Sequence, residues 1–169
     1  MNLDDLIVQD NNIDIDKYIS FREEVKKHME YPEWLGDFSK EDLVSLLDND
    51  GKIWIYYDNK EPICSMMIIP AREKDLVKFS LDLDYKEVID YGPMFVNPKC
   101  WGKGLQQQML EKLNNYCLNK GYKYAVGTIH PDNKYSINNL EKNSFEYKGN
   151  REFSRGMRNI YLKKLEGNK

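Results

Sequence analysis

The run ICSMMII, residues 63–69, is apolar at nearly every position. A strand with one wet face alternates apolar and polar residues, whereas a near-continuous run suits a strand buried on both faces. KIWIYYD (52–58) stands just before it, aromatic and β-branched as strands are. DNKE between the two supplies a turn, so the pair reads as a hairpin.

Helical patterns precede this hairpin. Ile15, Tyr18, Ile19, Val25 and Met29 fall on roughly one helical face, and Pro32 stops the pattern. Ser39 then offers an N-cap, with acidic residues in the first turn, a Leu43, Val44, Leu46, Leu47 face and a stop at Gly51. Residues 71–90 mix charges with apolar positions and fit either a helix or a covering loop.

YGPMFVN (91–97) reads as a short strand ending at Pro98. Beyond it Leu105, Met109, Leu110, Leu113 and Cys117 recur at helical spacing up to Gly121, a natural C′ residue. YKYAVGTI (122–129) is another strand, DNKYSINNLEKNS (132–144) a short helix that Asp132 or Asn133 would cap, and FEYKGN and MRNIYLKKL two closing strands. No repeat or linker divides the chain. The expectation is a single mixed α/β domain over residues 1–169, with a mostly antiparallel central sheet flanked by helices.

A formal net charge of −3 gives no reason to expect nucleic acid as a partner. Cys64, Cys100 and Cys117 are an odd number without CxxC spacing, so free thiols in a reducing compartment are expected rather than a zinc cage or disulfide framework. The acidic start MNLDDLIVQDNNIDID lacks a basic region followed by an apolar one, and no stretch approaches the ~18 apolar residues of a membrane span. These features predict a cytoplasmic protein with no membrane partner.

CWGKGLQQQML (100–110) places a Gly-x-Gly turn between the strand and the next helix. The first N–H groups of a helix have no intrahelical partner, and the macrodipole puts partial positive charge there. Gly102 and Gly104 can take positive φ and admit an oxygen close to the main chain. The stretch is therefore either an anion cradle suited to a pyrophosphate, with Lys99 and Lys103 at its rim, or a sharp turn needing glycine for its own geometry. Leu105 after GKG excludes a Walker A loop, and Gln107 at the third glycine position excludes the dinucleotide fingerprint.

FVNPKCWGKGLQQQML resembles the hallmark of the GNAT acyltransferases: an apolar strand end and a proline, then R/Q-x-x-G-x-G/A opening a helix. Val96, Pro98, Gly102 and Gly104 match it. GYKYAVGTIHPDNKYSINNLEKNSF is similar to that family's next strand and N-x-x-A…Y-x-x-x-G-F segment, with Asn133, Ser136 and Phe145 at matching positions. The departures are Trp101 for Arg or Gln, Gln106 for the last Gly/Ala, Ser144 for glycine, and Leu140 where many members carry a tyrosine taken to be the general acid.

The resemblance implies acetyl-CoA or another acyl-CoA as co-substrate, bound between two splayed central strands, with no metal. The pyrophosphate would lie on the amides of Trp101, Gly102, Lys103, Gly104, Leu105 and Gln106, and the pantetheine arm would pair at Phe95 and Val96. Asn133, Ser136 and Asn139 are further cofactor candidates, Asn139 because it sits one turn beyond Ser136. An amine would attack the thioester directly, which asks for a base, main-chain donors to the carbonyl and an acid for the thiolate.

Candidates for proton transfer are His130 at a strand end, Tyr135 at a helix start, and Asp90, which precedes the central strand where family members often carry an acidic base. Each has a plainer reading, as a turn histidine, a core aromatic and a solvated loop carboxylate. Met66, Met67 and Met94 would line an apolar pocket or simply pack the core. The function expected is transfer of an acetyl group from acetyl-CoA to a primary amine of a small molecule or peptide, by a monomer or homodimer. The alternatives are a non-catalytic acyl-CoA-binding or sensing domain, motivated by Leu140 and the altered cradle, and a small interaction domain whose Gly-x-Gly is only a turn.

Overall fold

A computed structural model describes residues 1–167. In chain order its elements are β1 (Ile7–Gln9), α1 (Ile15–Lys27), α2 (Lys40–Asp48), β2 (Lys52–Asp58), β3 (Glu61–Pro70), α3 (Glu73–Phe79), β4 (Val88–Tyr91), β5 (Phe95–Val96), α4 (Leu105–Asn119), β6 (Tyr124–Ile129), α5 (Lys134–Lys142), β7 (Glu146–Phe153) and β8 (Gly156–Lys164). Among the described residues no helix is long and apolar enough to cross a membrane.

Local chemistry sets several of these boundaries. The Asp14 side chain accepts from Lys17 N at 3.2 Å at the head of α1. Ser39 and Asp42 form a reciprocal capping box on α2, with Asp42 N donating to Ser39 Oγ at 3.1 Å and Ser39 N to Asp42 Oδ2 at 3.2 Å. The chain then forms two compact units, Met1–Ile69 with Gly92–Met109, and Pro70–Tyr91 with Leu110–Lys169.

In the first unit β2 pairs antiparallel with β1 and β3, and β3 pairs antiparallel with β5 in the register Cys64↔Val96 and Ser65↔Phe95. The expected hairpin is β2–β3, and residues 63–68 are all buried, as the unbroken apolar run required. Its one polar member, Ser65, donates to Trp54 O at 2.8 Å. Tyr18, Phe21 and Val25 of α1 and Leu43 and Leu46 of α2 pack with Ile53, Ile55, Met67 and Phe95. The Phe95 ring lies 5.6 Å from Tyr18 and 5.1 Å from Phe21. Met66 and Met67 are core residues rather than pocket lining.

The YGPMFVN strand is shorter than expected. Tyr91 ends β4, and only Phe95 and Val96 form β5. Gly92 N donates to Met67 O at 2.9 Å, and a Cβ on Gly92 would meet Met67 Sδ at 2.7 Å, so this crossing needs glycine. Pro93 then has no N–H to continue a ladder.

In the second unit β4 runs parallel to β6, β6 is antiparallel to β8, and β8 to β7. The unassigned stretch 71–90 contains both a helix and a strand. Leu76 and Phe79 of α3 pack with Ala71, Val88, Val126 and Ile160. Apart from β4–β6, the strand pairings inside the two units are antiparallel, in keeping with the mixed α/β class.

Candidate functional site

The first unit carries the Gly-x-Gly turn. After β5, Asn97 turns the chain by accepting Lys99 N on its side chain at 3.0 Å and donating to Pro62 O at 3.0 Å. Trp101 N donates to Pro98 O at 3.3 Å, so this amide, expected to face a ligand, is committed to the turn. Gly102 and Gly104 then adopt φ of +77° and +76°, a region that favours glycine, and a Cβ on either would meet no heavy atom within 4 Å. These glycines are thus required by backbone conformation, and they leave the space in front of the main chain open. Leu105 is buried at the start of α4, and Gln108 N donates to Gly104 O at 3.3 Å, so the helix begins directly at the second glycine and presents its N-terminal end there. An open, doubly kinked backbone at a helix N-terminus has the donor set for a phosphate or pyrophosphate.

The rim differs from expectation in two ways. Lys99 Nζ donates to Glu61 Oε1 at 2.9 Å, which raises the lysine pKa and lowers that of the glutamate through the hydrogen bond and then the charge, and turns the ammonium toward the β2–β3 turn. Lys103 is exposed and makes no ion pair among the described residues. Trp101, 47% exposed, donates its indole Nε1–H to Val96 O at 2.7 Å. The Phe95 side chain is core, so only its main chain faces any ligand.

The second unit holds the remaining candidates. Asn133 caps α5, accepting Ser136 N at 3.2 Å and donating to Ser136 Oγ at 3.1 Å, so both side chains are engaged with each other. Asn139 is half-buried on α5. Tyr135 is 78% exposed and is no core aromatic. His130 directly follows β6, and its Nδ1 accepts Asp132 N at 3.1 Å. That bond assigns the neutral ring an Nε2–H, a donor rather than a base.

Asp90 is the clearest departure from the plain sequence reading. It lies within β4, paired with Val126, and is not a solvated loop carboxylate. Its Oδ1 is enclosed without a hydrogen-bond partner. Burial, and secondarily the charge of Asp75, pushes its carboxyl up to about 8. Asp75 itself is held by Arg72 through paired 3.1 Å contacts. A carboxyl that exchanges its proton near neutral pH is suited to general-base work, and no residue pattern in the sequence revealed that enclosure.

Leu140 is buried in the second unit, so the absent tyrosine is replaced by packing. The cysteines do not serve as nucleophiles: Cys64 and Cys117 are buried thiols pushed up to about 12, and Cys100 is also buried. Among the described residues no group of His, Cys, Asp and Glu is arranged to hold a metal ion.

Comparison with solved structures gives the same fold. An N-acetyltransferase from Staphylococcus aureus Mu50 is 16% identical, with 95% of this chain and 99% of that one covered and a TM-score of 0.68. An aminoglycoside acetyltransferase, AAC(6')-Ib, in complex with coenzyme A is 18% identical over 94% of this chain and 95% of that one, with a TM-score of 0.70. A phosphinothricin acetyltransferase from Sinorhizobium meliloti in complex with AcCoA is 14% identical over 95% and 88%, with a TM-score of 0.68. No curated relative matches the sequence. The profile of the acetyltransferase (GNAT) family matches residues 16–145, more than half of the chain, and spans the glycine turn, Asp90 and α5. The chain therefore belongs to the acetyltransferase (GNAT) family and is by class an acyl-CoA-dependent N-acetyltransferase.

Proposed function

We propose that the protein transfers the acetyl group of acetyl-CoA to a primary amine of a small molecule or peptide by direct attack. The observation that carries the reading is the open backbone at Gly102 and Gly104, ahead of the α4 N-terminus. The main chain of residues 102–106 holds the pyrophosphate, and the strand edge at Val96 meets the pantetheine arm. Two structural neighbours support the co-substrate, since one was solved with coenzyme A and another with AcCoA.

In this reading the amine nitrogen forms a bond to the acetyl carbon while the carbon–sulfur bond breaks. Asp90 accepts the amine's proton, a role that suits its raised carboxyl. Neither Leu140 nor the buried thiols can protonate the departing thiolate, so its proton comes from solvent. Acceptance of a cationic amine is supported by AAC(6')-Ib, a neighbour solved with paromomycin and with ribostamycin. We further propose that the whole chain acts as one catalytic domain, alone or as a homodimer, with neither nucleic acid nor membrane as partner. A reducing, cytoplasmic setting fits its three unpaired buried cysteines.

The test is release of free CoA thiol from acetyl-CoA over a panel of aminoglycosides, polyamines and peptide amines. Turnover that requires one amine class is the expected result. Calorimetric binding of acetyl-CoA without turnover on any amine would point to a sensing domain, and no binding would overturn the reading.

A further inference from the structure

The short strand before the glycine turn has an unusual edge. Asn97 N donates to Ile63 O at 2.7 Å, and Val96 stands opposite Cys64 in the β3–β5 ladder. Alternate residues of a strand direct their N–H and C=O groups to opposite sides, so those of Val96 point away from β3. This outward carbonyl is where an extended ligand would add its own N–H, as strand-like ligands do. It is already taken. Trp101 Nε1–H, from five residues further on, donates to it at 2.7 Å.

The Trp101 ring is 47% exposed, and the turn that carries it is fixed by other contacts, namely the Asn97 side chain on Lys99 N and Pro62 O and the Trp101 N–H on Pro98 O. The indole can therefore leave Val96 O without disturbing the glycine turn beside it. An extended amide and an indole N–H compete for the same acceptor, whereas a pyrophosphate on the main chain of residues 102–106 does not involve it.

We propose that Trp101 is a positioning residue for the acyl donor: its indole holds the Val96 carbonyl in the free protein and yields it to a donor with a secondary amide attached to its pyrophosphate. The inference rests on the acyl-CoA reading above. It adds that the two halves of the donor are bound under different terms. The nucleotide half docks on a site already open, and the amide arm displaces a tryptophan.

Binding of acetyl-CoA and of ADP, which carries the pyrophosphate and no amide, separates these terms. Trp101→Phe keeps the ring and removes the N–H. Calorimetry is expected to show acetyl-CoA bound ~2- to 10-fold more tightly by Trp101→Phe than by the parent protein, the factor for one net hydrogen bond, with ADP affinity unchanged. The same change for both ligands, no change, or weaker acetyl-CoA binding overturns the role of Trp101 while leaving the acyl-CoA reading in place. Failure of the parent protein to bind acetyl-CoA removes both.

A second measurement does not depend on that variant's folding. Trp34→Phe with Trp54→Phe leaves Trp101 as the one tryptophan. Its emission should shift to the red with acetyl-CoA, as the indole is released to water, and stay in place with ADP. An identical response to the two ligands counts against the exchange.

Discussion

A Cβ placed on Gly127 would lie 3.2 Å from Leu140 Cδ1, so α5 rests on β6 at a glycine whose missing side chain makes room for that leucine. The contact makes Leu140, at the position to which the resemblance assigned a tyrosine, a buried packing residue.

Leu140→Tyr should therefore act first on stability. The larger ring has to enter a space already filled by leucine, and its hydroxyl arrives without a partner. The expected cost is ~1–3 kcal/mol, as for other overpacked cores. Urea denaturation checks it: an unchanged midpoint would mean that the Gly127 contact does not limit the site.

Asp90 makes stability depend on pH in the opposite direction to a salt-bridged carboxylate. Its folded pKa stands at about 8 against an ordinary value of 3.8. Below the lower value both states are protonated, and the favourable burial of the neutral acid is fully present. Between the two values the unfolded chain releases this proton and the folded one keeps it. Stability falls with rising pH there, by at most ~1.4 kcal/mol per unit from this group. Asp90→Asn should lose that slope and be more stable relative to the parent at pH 8 than at pH 5. Unfolding at both values measures it, and equal differences would contradict the enclosure of Oδ1. In the same variant acetyl transfer should drop by ~100-fold or more, as for loss of a general base.

What could be read from the sequence divides along the range of the interactions. Helix α2 was legible because Ser39 and Asp42 cap it within one turn. Strand β3 was legible because burial on both faces leaves a continuous apolar run. The glycine turn was legible because φ near +77° is written in the residue type itself. Strand β1 was not, since it has three residues, with Ile7 and Val8 exposed, and no alternation to detect. The strand containing Asp90 was hidden for a related reason, as a carboxylate within a short strand reads as loop. Lys99 and Trp101 were misread as a rim charge and a ligand-facing amide because their partners, Glu61, Val96 and Pro98, are fixed only by the β3–β5 register and the turn after it.

The two lysines of the turn should behave differently. Lys99 is engaged by Glu61 at 2.9 Å, and its removal also releases that glutamate. Lys99→Ala is expected to leave acetyl-CoA affinity within about 2-fold. Lys103, exposed between the glycines and without an ion pair among the described residues, is the charge left to meet a pyrophosphate. Lys103→Ala should weaken binding by ~2- to 5-fold, the range for an exposed charge pair, and reduce its salt dependence. Titrations at low and high salt test both, and a larger effect at Lys99 would reverse the assignment.

Gly104→Val tests the cradle itself. At φ +76° a β-branched residue is strained by roughly 1–3 kcal/mol, and its side chain would project into the space now open before the main chain. Lost affinity alone would not separate a blocked site from a weakened fold, so a matched control is needed. Gly121 has φ +93°, also with no heavy atom within 4 Å of its would-be Cβ, and it lies beyond the C-terminal end of α4 rather than at its start. Gly121→Val should cost comparable stability and leave acetyl-CoA affinity intact. Gly104→Val should lower that affinity by ~100-fold or more, consistent with a pyrophosphate unable to reach the amides. Thermal unfolding and calorimetry on the pair give the comparison, and equal affinities in the two variants would show that Gly104 shapes only a turn.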